Sequence, residues 1–164
     1  MSTMLPSMNQ AASDLVTHQL YGANLYQNVA SQFENSGLHG FSHWFRYAAK
    51  HERKMAHKTA KHFNRRGGRV LVGAIPAAPP EYSSPLDAFT AAHGHELAKT
   101  EKLKSLLQQS EREGDPQTGL YLEHLLGKQA KRENHARRYA EHLRLAGSDM
   151  GAILALNEKA HGRH

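Results

Sequence analysis

Residues 41–63 read FSHWFRYAAKHERKMAHKTAKHF. Phe41, Phe45, Ala48, Glu52, Met55, Thr59 and His62 recur at alternating steps of four and three, the spacing of side chains that share the buried face of one helix. The pattern puts a carboxylate, Glu52, in the middle of that face. A charged group is rarely buried without a partner, so the decisive question for the remaining chain is which groups reach the level of Glu52.

Outward from this stretch the same period returns three more times. A first helix is expected over 7–35, with Ser7 as its cap and Asn35-Ser36-Gly37 as its stop. Its stripe is Met8, Ala12, Leu15, Gln19, Gly22, Tyr26, Val29 and Phe33. The helix containing Glu52 spans 40–66 and ends at Gly67-Gly68. A third, over 85–113, starts on Pro85 after Ser83 or Ser84, with the stripe Leu86, Phe89, His93, Glu96, Thr100, Leu103 and Leu107. A fourth, over 116–145, takes Asp115 as cap and Pro116 as first residue, with Thr118, Leu122, Leu125, Gln129, Arg132, Ala136, Tyr139 and Leu143 on its inner face. A short fifth helix is expected over 150–160, capped by Ser148 or Asp149. Residues 67–84 have no helical or strand period and are rich in Pro and Gly; a connection this long suits a crossover along a bundle, leaving its two flanking helices parallel. The expected architecture is all-α: a four-helix bundle in one domain, residues 1–164, with a short fifth helix.

The composition excludes several classes. With no cysteine there is neither a disulfide framework nor a thiolate metal or redox site. No run approaches the roughly 20 apolar residues that span a bilayer, and the opening MSTMLPSMNQAAS lacks the basic and apolar regions of a secretion signal, so a cytoplasmic protein is expected. The net charge is +6 with 13 histidines neutral, which keeps polyanions open as partners.

Each long helix interrupts its stripe with a polar residue near mid-length: Gln19, Glu52, Glu96, and Gln129 with Arg132. A long crossover between helices two and three and a polar mid-core layer are the plan of di-iron carboxylate bundles. The segments LYGANLYQ (20–27), FRYAAKHERKMAH (45–57), SSPLDAFTAAHGHE (83–96) and LAGSDMGAI (145–153) make the chain resemble the bacterial non-haem ferritins over roughly residues 8–158. The resemblance implies a ferritin-like fold, a homo-oligomeric cage of 24 subunits, iron as cargo and no haem. It also implies that Glu52, Glu96, Gln129 and Gln19 stand at the di-iron positions, with Tyr26 beside them. The family has glutamate where Gln19 and Arg132 stand and histidine where Met55 stands. Positions that supply acidic groups to a third iron are His51, Lys128 and Lys131 here.

Hard cations need several oxygen ligands and net negative charge, and a thioether does not hold them. Arg132 is permanently charged, so it is expected, with Lys128, to neutralise Glu52 and Glu96 in place of a metal. Iron is therefore possible but not expected at the usual di-iron site. A rearranged site that joins His51, His93 or His95 to the two glutamates is the alternative.

Charge also segregates by helix. Residues 40–66 carry eight cations, Arg46, Lys50, Arg53, Lys54, Lys58, Lys61, Arg65 and Arg66, against Glu52 alone; residues 116–145 carry six, Arg137 and Arg138 among them, against three acids. Helices two and four together hold +10, and helices one and three −3. By the resemblance, helices two and four line the cage interior, which would then be basic. Two readings follow: an iron-storage cage whose iron oxidation is weak or absent, with co-assembly with a competent ferritin subunit as the way to complete it, or a non-enzymatic cage that binds anions or nucleic acid nonspecifically through phosphate charge.

Overall fold

The computed structural model describes residues 4–162; positions 1–3 and 163–164, the outermost residues of the expected domain, lie outside the described residues. The chain folds into helices α1 (Pro6–Asn35), α2 (His39–Arg65), α3 (Pro85–Arg112), α4 (Pro116–Ala146) and α5 (Met150–Ala160), with no strand among the described residues.

Local chemistry sets the helix ends. Ser84 accepts from the Asp87 amide at 3.1 Å, Asp115 from the Thr118 amide at 3.2 Å and Asp149 from the Ala152 amide at 3.2 Å, each satisfying an orphan donor of the first turn. Pro85 and Pro116 occupy first-turn positions where no amide hydrogen is needed. The expected cap Ser7 is not used: α1 begins one residue earlier, Leu5 precedes it without a side-chain cap, and the Ser7 hydroxyl instead donates to Glu113 at 3.3 Å. At the other ends, Gly37 and Gly67 adopt positive φ, and the amide that follows each reaches back to Phe33 or Phe63 at 2.9 Å, closing the last turn.

The crossover is stitched to α1. Asn9 exchanges hydrogen bonds with Arg69, Ser13 accepts from the Leu71 amide, Thr17 from the Gly73 amide, and Asn28 and Gln32 bond the backbone of Pro79 and Tyr82. As the crossover numbers rise from 69 to 82, the α1 partners rise from 9 to 32, so the connection runs parallel to α1 along most of its length. It delivers α3 to the end of the bundle where α2 began, and α2 and α3 are therefore parallel. Helices α1 with α2, and α3 with α4, form the two close hairpins, and α5 closes one end against α2 and α4.

Two apolar clusters fill the interior. One is aromatic, built from Tyr26, Phe33, Phe41, Trp44, Phe45, Phe89 and Tyr139. The other is mostly aliphatic, from Met8, Leu15, Phe63, Leu103, Leu106, Leu122 and Leu125. Each fully buried Phe or Leu contributes roughly 1.5–3 kcal/mol of transfer free energy, so burial of these two clusters is the main favourable term. Between the clusters lies a buried polar layer made of Gln19, Glu52, Thr59, His95, Glu96, Lys99, Thr100 and Gln129.

The stripes fall where the period puts them, with six exceptions. Every expected α1 position is buried, but Met55, His62, Leu86, His93, Leu107 and Arg132 are only partly so. On α2 and α3 the core faces turn slightly, to Ala56 and Phe63 on α2, and on α3 to the seam Phe89, Ala92, Glu96, Lys99, Leu103, Leu106 and Ser110. Arg132 sits at the edge of α4, its guanidinium carbon 5.3 Å from the Tyr47 ring centre, where it keeps both water and a cation–π contact.

Candidate functional site

The polar layer is organised by one cation. The Lys99 ammonium donates to Glu52 Oε1 and, at 2.9 Å, to Glu96 Oε1, so it bridges carboxylates from α2 and α3. The second Glu52 oxygen lies 3.0 Å from His95 Nε2. All four side chains are at most 5 % exposed. Gln129 Nε2 donates to the Glu96 carbonyl at 2.9 Å, and Gln19 Nε2 to the Thr59 hydroxyl at 3.3 Å. Tyr26 donates its phenolic proton to the Ala92 carbonyl at 3.4 Å and packs edge-on to His95.

Electrostatics follows this geometry. Burial by itself raises the Glu52 carboxyl; the Lys99 ammonium and His95 outweigh it and hold the group at about 2. Burial likewise lowers the Lys99 ammonium, and Glu52 and Glu96 outweigh it, so Lys99 lies above its ordinary 10.5. Burial and the charges of Glu96 and Glu52 push the Tyr26 phenol well above its usual range. Outside the layer, burial and His95 hold His18 at about 4, while burial, Arg132 and Lys99 do the same to His51.

The cation expected to neutralise the carboxylates was Arg132, with Lys128. It is Lys99. Arg132 and Lys128 stand at the edge of α4, where they line a small recess with Lys99, Gln19 and Gln129, but among the described residues neither forms an ion pair, because that edge gives their long side chains a route to water. Lysine is rarely buried, yet the sequence carries a signal for Lys99: Phe89, Ala92, Glu96, Lys99, Leu103 and Leu106 keep an unbroken three-four period. Of the three histidines considered for a rearranged site, only His95 joins the layer. His93 is half-buried outside it, and His51 lines an outer recess between α2 and α4. Gly22 was a second available signal, since glycine in a helix interior needs a packing reason. A Cβ there would lie 2.1 Å from His95 Nε2 and 2.8 Å from Glu52 Oε2, so the missing side chain is what admits the pair.

The ligand atoms of Glu52, His95 and Glu96 all lie within 4.8 Å of one another, close enough to surround one ion. The Lys99 ammonium occupies the space between the carboxylates, and Gln19, Met55 and Arg132 withhold three further donors. A divalent ion 4 Å from an ammonium is opposed by about 8 kcal/mol at an effective dielectric of 20. Removing the Lys99 proton first is also opposed, since Glu52 and Glu96 hold the ammonium above its ordinary range. The residues present do not fit a di-iron centre.

The profile of the Ferritin-like domain family matches residues 9–146. The chain belongs to that ferritin-like family. Among curated relatives, the bacterial non-heme ferritin of Bacteroides fragilis (strain 638R) is 25% identical over 140 residues, covering 85% of this chain and 88% of the relative. That of Staphylococcus aureus (strain USA300) is 27% identical over 144 residues, covering 88% and 87%. Among solved structures, an open pore ferritin from the hyperthermophilic archaeon Archaeoglobus fulgidus superposes with a TM-score of 0.93 at 33% identity, over 99% of this chain and 100% of that one. A humanized archaeal ferritin superposes with a TM-score of 0.93 at 31% identity, over 99% and 98%. The four-helix bundle with its crossover and short fifth helix is therefore the ferritin fold. No helix among the described residues is long and apolar enough to cross a membrane.

The outer faces of α2 and α4 are only partly as free as their composition suggests. Arg66 is tied to Asp115 and Gln117 at 2.8 Å each, and Arg137 to Glu141 and Asn134 at 2.5 Å each. Lys50, Lys54, Lys58, Lys61, Arg65 and Arg138 are exposed, and Arg53 partly so.

Proposed function

We propose that the chain is a subunit of a cytoplasmic ferritin-like cage, related to iron storage, in which an internal lysine has taken the place of the di-iron site, so that iron oxidation is weak or absent. The observation that carries this reading is the Lys99 ammonium between Glu52 and Glu96. A monovalent cation supplied by the chain itself is shared by both carboxylates and offsets one of their two charges without any ion from solution, and its intramolecular supply gives it a concentration advantage that a free ion lacks. Iron is then cargo or substrate for a partner, and co-assembly with a ferritin subunit that keeps its glutamates would restore oxidation to a mixed cage.

The test is aerobic addition of ferrous iron to the purified protein, following ferric absorbance against buffer and then sizing the product and assaying its iron. Oxidation at the rate of buffer with iron-poor assemblies is expected. Oxidation clearly faster than buffer, with iron co-eluting with a large assembly, would mean that the glutamates work despite Lys99.

A second reading, anion binding through a basic surface, is favoured by one observation: the recess between α2 and α4 is lined by Lys128, Lys131, Arg132 and Arg138 and by no carboxylate. Binding there would be salt-sensitive and blind to base identity.

A further inference from the structure

Deepening that second reading, and resting on it, we propose that the basic recess along α4 is a defined binding site for linked phosphate groups, with a short inorganic polyphosphate chain as its ligand. Lys128, Lys131, Arg132, His135, Arg138 and His142 follow one another at steps that keep them on one outward face of α4. They span 15 residues, about 21 Å of helix. Two adjoining recesses share this face. The first, between α2 and α4, holds His51, Lys128, Lys131, Arg132, His135 and Arg138. The second, between α4 and α5, holds His135, Arg138, His142 and Lys159. His135 and Arg138 line both, so the two form one trough.

The trough is charged and unneutralised. Lys128, Lys131, Arg132, Arg138 and Lys159 form no ion pair among the described residues, and no carboxylate lines either recess. Nearby acids are committed elsewhere: Glu141 to Arg137, and Glu133 to the Thr100 hydroxyl at 2.5 Å. Burial, Arg132 and Arg138 lower the His135 imidazole, which is the field expected where cations crowd without counter-charge. At neutral pH that ring is an uncharged hydrogen-bonding group between fixed charges.

The trough is also held in shape. Arg132 is stacked on Tyr47, and α5, which carries Lys159, is docked by the Asn157 side chain accepting from the Phe41 amide at 2.8 Å. Gly40 makes that docking close, since a Cβ there would meet the Asn157 carbonyl at 1.7 Å. Arg132, held against Tyr47, loses little freedom when an anion arrives, and the docked helices fix the backbone positions from which the other cations extend, which favours a defined site over diffuse adsorption.

Chain phosphates suit this surface better than nucleic acid does. Sequence-tolerant binding of single strands uses exposed aromatic faces on which bases stack. Here Tyr47, 41 % exposed on the face away from Arg132, lines neither recess, and Tyr139, at 9 % exposure, belongs to the aromatic core, so the trough itself presents no open tyrosine ring for a base. What the trough offers is charge in a line along one helix, and a linear anion with a charge on every unit matches it.

The test uses the full chain in its native assembly and sodium tripolyphosphate as probe, titrated calorimetrically at low ionic strength. Three proteins are compared: wild type, Lys131→Gln with Arg138→Gln, and a control, Lys58→Gln with Lys61→Gln. The control removes the same two charges from exposed α2 positions that line neither recess. Each charged hydrogen bond to phosphate is worth roughly tenfold in affinity, so the trough variant is expected to bind about 100-fold more weakly, and the control within about threefold of wild type. Equal losses in both variants would overturn the trough and leave the diffuse basic surface standing. A wild type that binds a single-stranded DNA oligomer but not tripolyphosphate would also overturn it, again leaving the surface reading intact. A wild type that binds neither would overturn both.

Discussion

Replacing Lys99 by methionine removes the charge while keeping much of the side-chain length. The Glu52 carboxyl is held at about 2 against an ordinary 4.5, a difference worth about 3 kcal/mol when the carboxylate is ionised. Removing one partner of a buried pair leaves an uncompensated charge and costs 3–5 kcal/mol in measured cases, in line with that figure. Against a total stability of about 5–15 kcal/mol this is a large fraction, and at about 2–4 °C per kcal/mol for a chain of this size the melting midpoint should fall by roughly 10 °C.

The sign with pH is the sharper test. In the wild type the folded carboxyl is depressed, so its stabilisation is present above about 4.5 and is lost only as pH falls toward about 2. In Lys99→Met the two buried carboxylates face each other without a cation, so their folded values rise above the ordinary one. Their contribution is then best at low pH and is lost as pH rises. Denaturant unfolding at pH 5, 6, 7 and 8, at one protein concentration, gives the difference between the two proteins. That difference is expected to widen from pH 5 to pH 8. A variant within about 1 kcal/mol of wild type at pH 8, with no change across the series, would refute the claim that Lys99 is the balancing charge.

Lys99→Ala should turn the layer into a divalent-metal site, since Glu52, His95 and Glu96 already present ligand atoms within 4.8 Å. Zinc in excess, at about 100 times its dissociation constant, would stabilise the variant by roughly 2.7 kcal/mol in thermal melts, reversibly with chelator, and leave the wild type unchanged. Gly22→Ala drives a methyl into His95 and Glu52 and should cost roughly 1–3 kcal/mol by denaturant unfolding, although alanine is the better helix former. His51, held at about 4 by burial, Arg132 and Lys99, binds fewer protons folded than unfolded between its ordinary 6.5 and that value; its contribution is lost as pH falls through this window. In His51→Gln, stability measured from pH 7 to pH 4 should therefore decline less steeply than in wild type. Asp115→Ala removes the α4 cap and the Arg66 partner and should cost about 1 kcal/mol.

Much of the fold was legible because its determinants are local. Alternating steps of three and four, prolines at the first turns of α3 and α4, the caps Asp115 and Asp149, and glycines after the helices each act within a few residues, and the structure uses them nearly as written. Ser7 does not cap α1, because its hydroxyl has a competing partner 106 positions away, Glu113. The candidate site was half legible. Glu52, Glu96, Gln19 and Gln129 announced a buried polar layer by breaking apolar stripes, and all four are in it. The identity of the balancing cation was not announced, because Arg132 and Lys99 both lie at plausible phases of their helices.

What the sequence determined by itself, then, is the number of helices, their ends, the crossover and the level at which polar groups enter the core. Those depend on backbone period and on residues adjacent along the chain. Tertiary structure decided which cation meets the carboxylates. A small rotation of α3 turns Lys99 inward between Glu52 and Glu96, the absent side chain of Gly22 makes room for His95, and the edge position of Arg132 lets its guanidinium stack on Tyr47 in contact with water. An arginine that can keep its hydration has no reason to enter the core, whereas a lysine facing two buried carboxylates is held there by them.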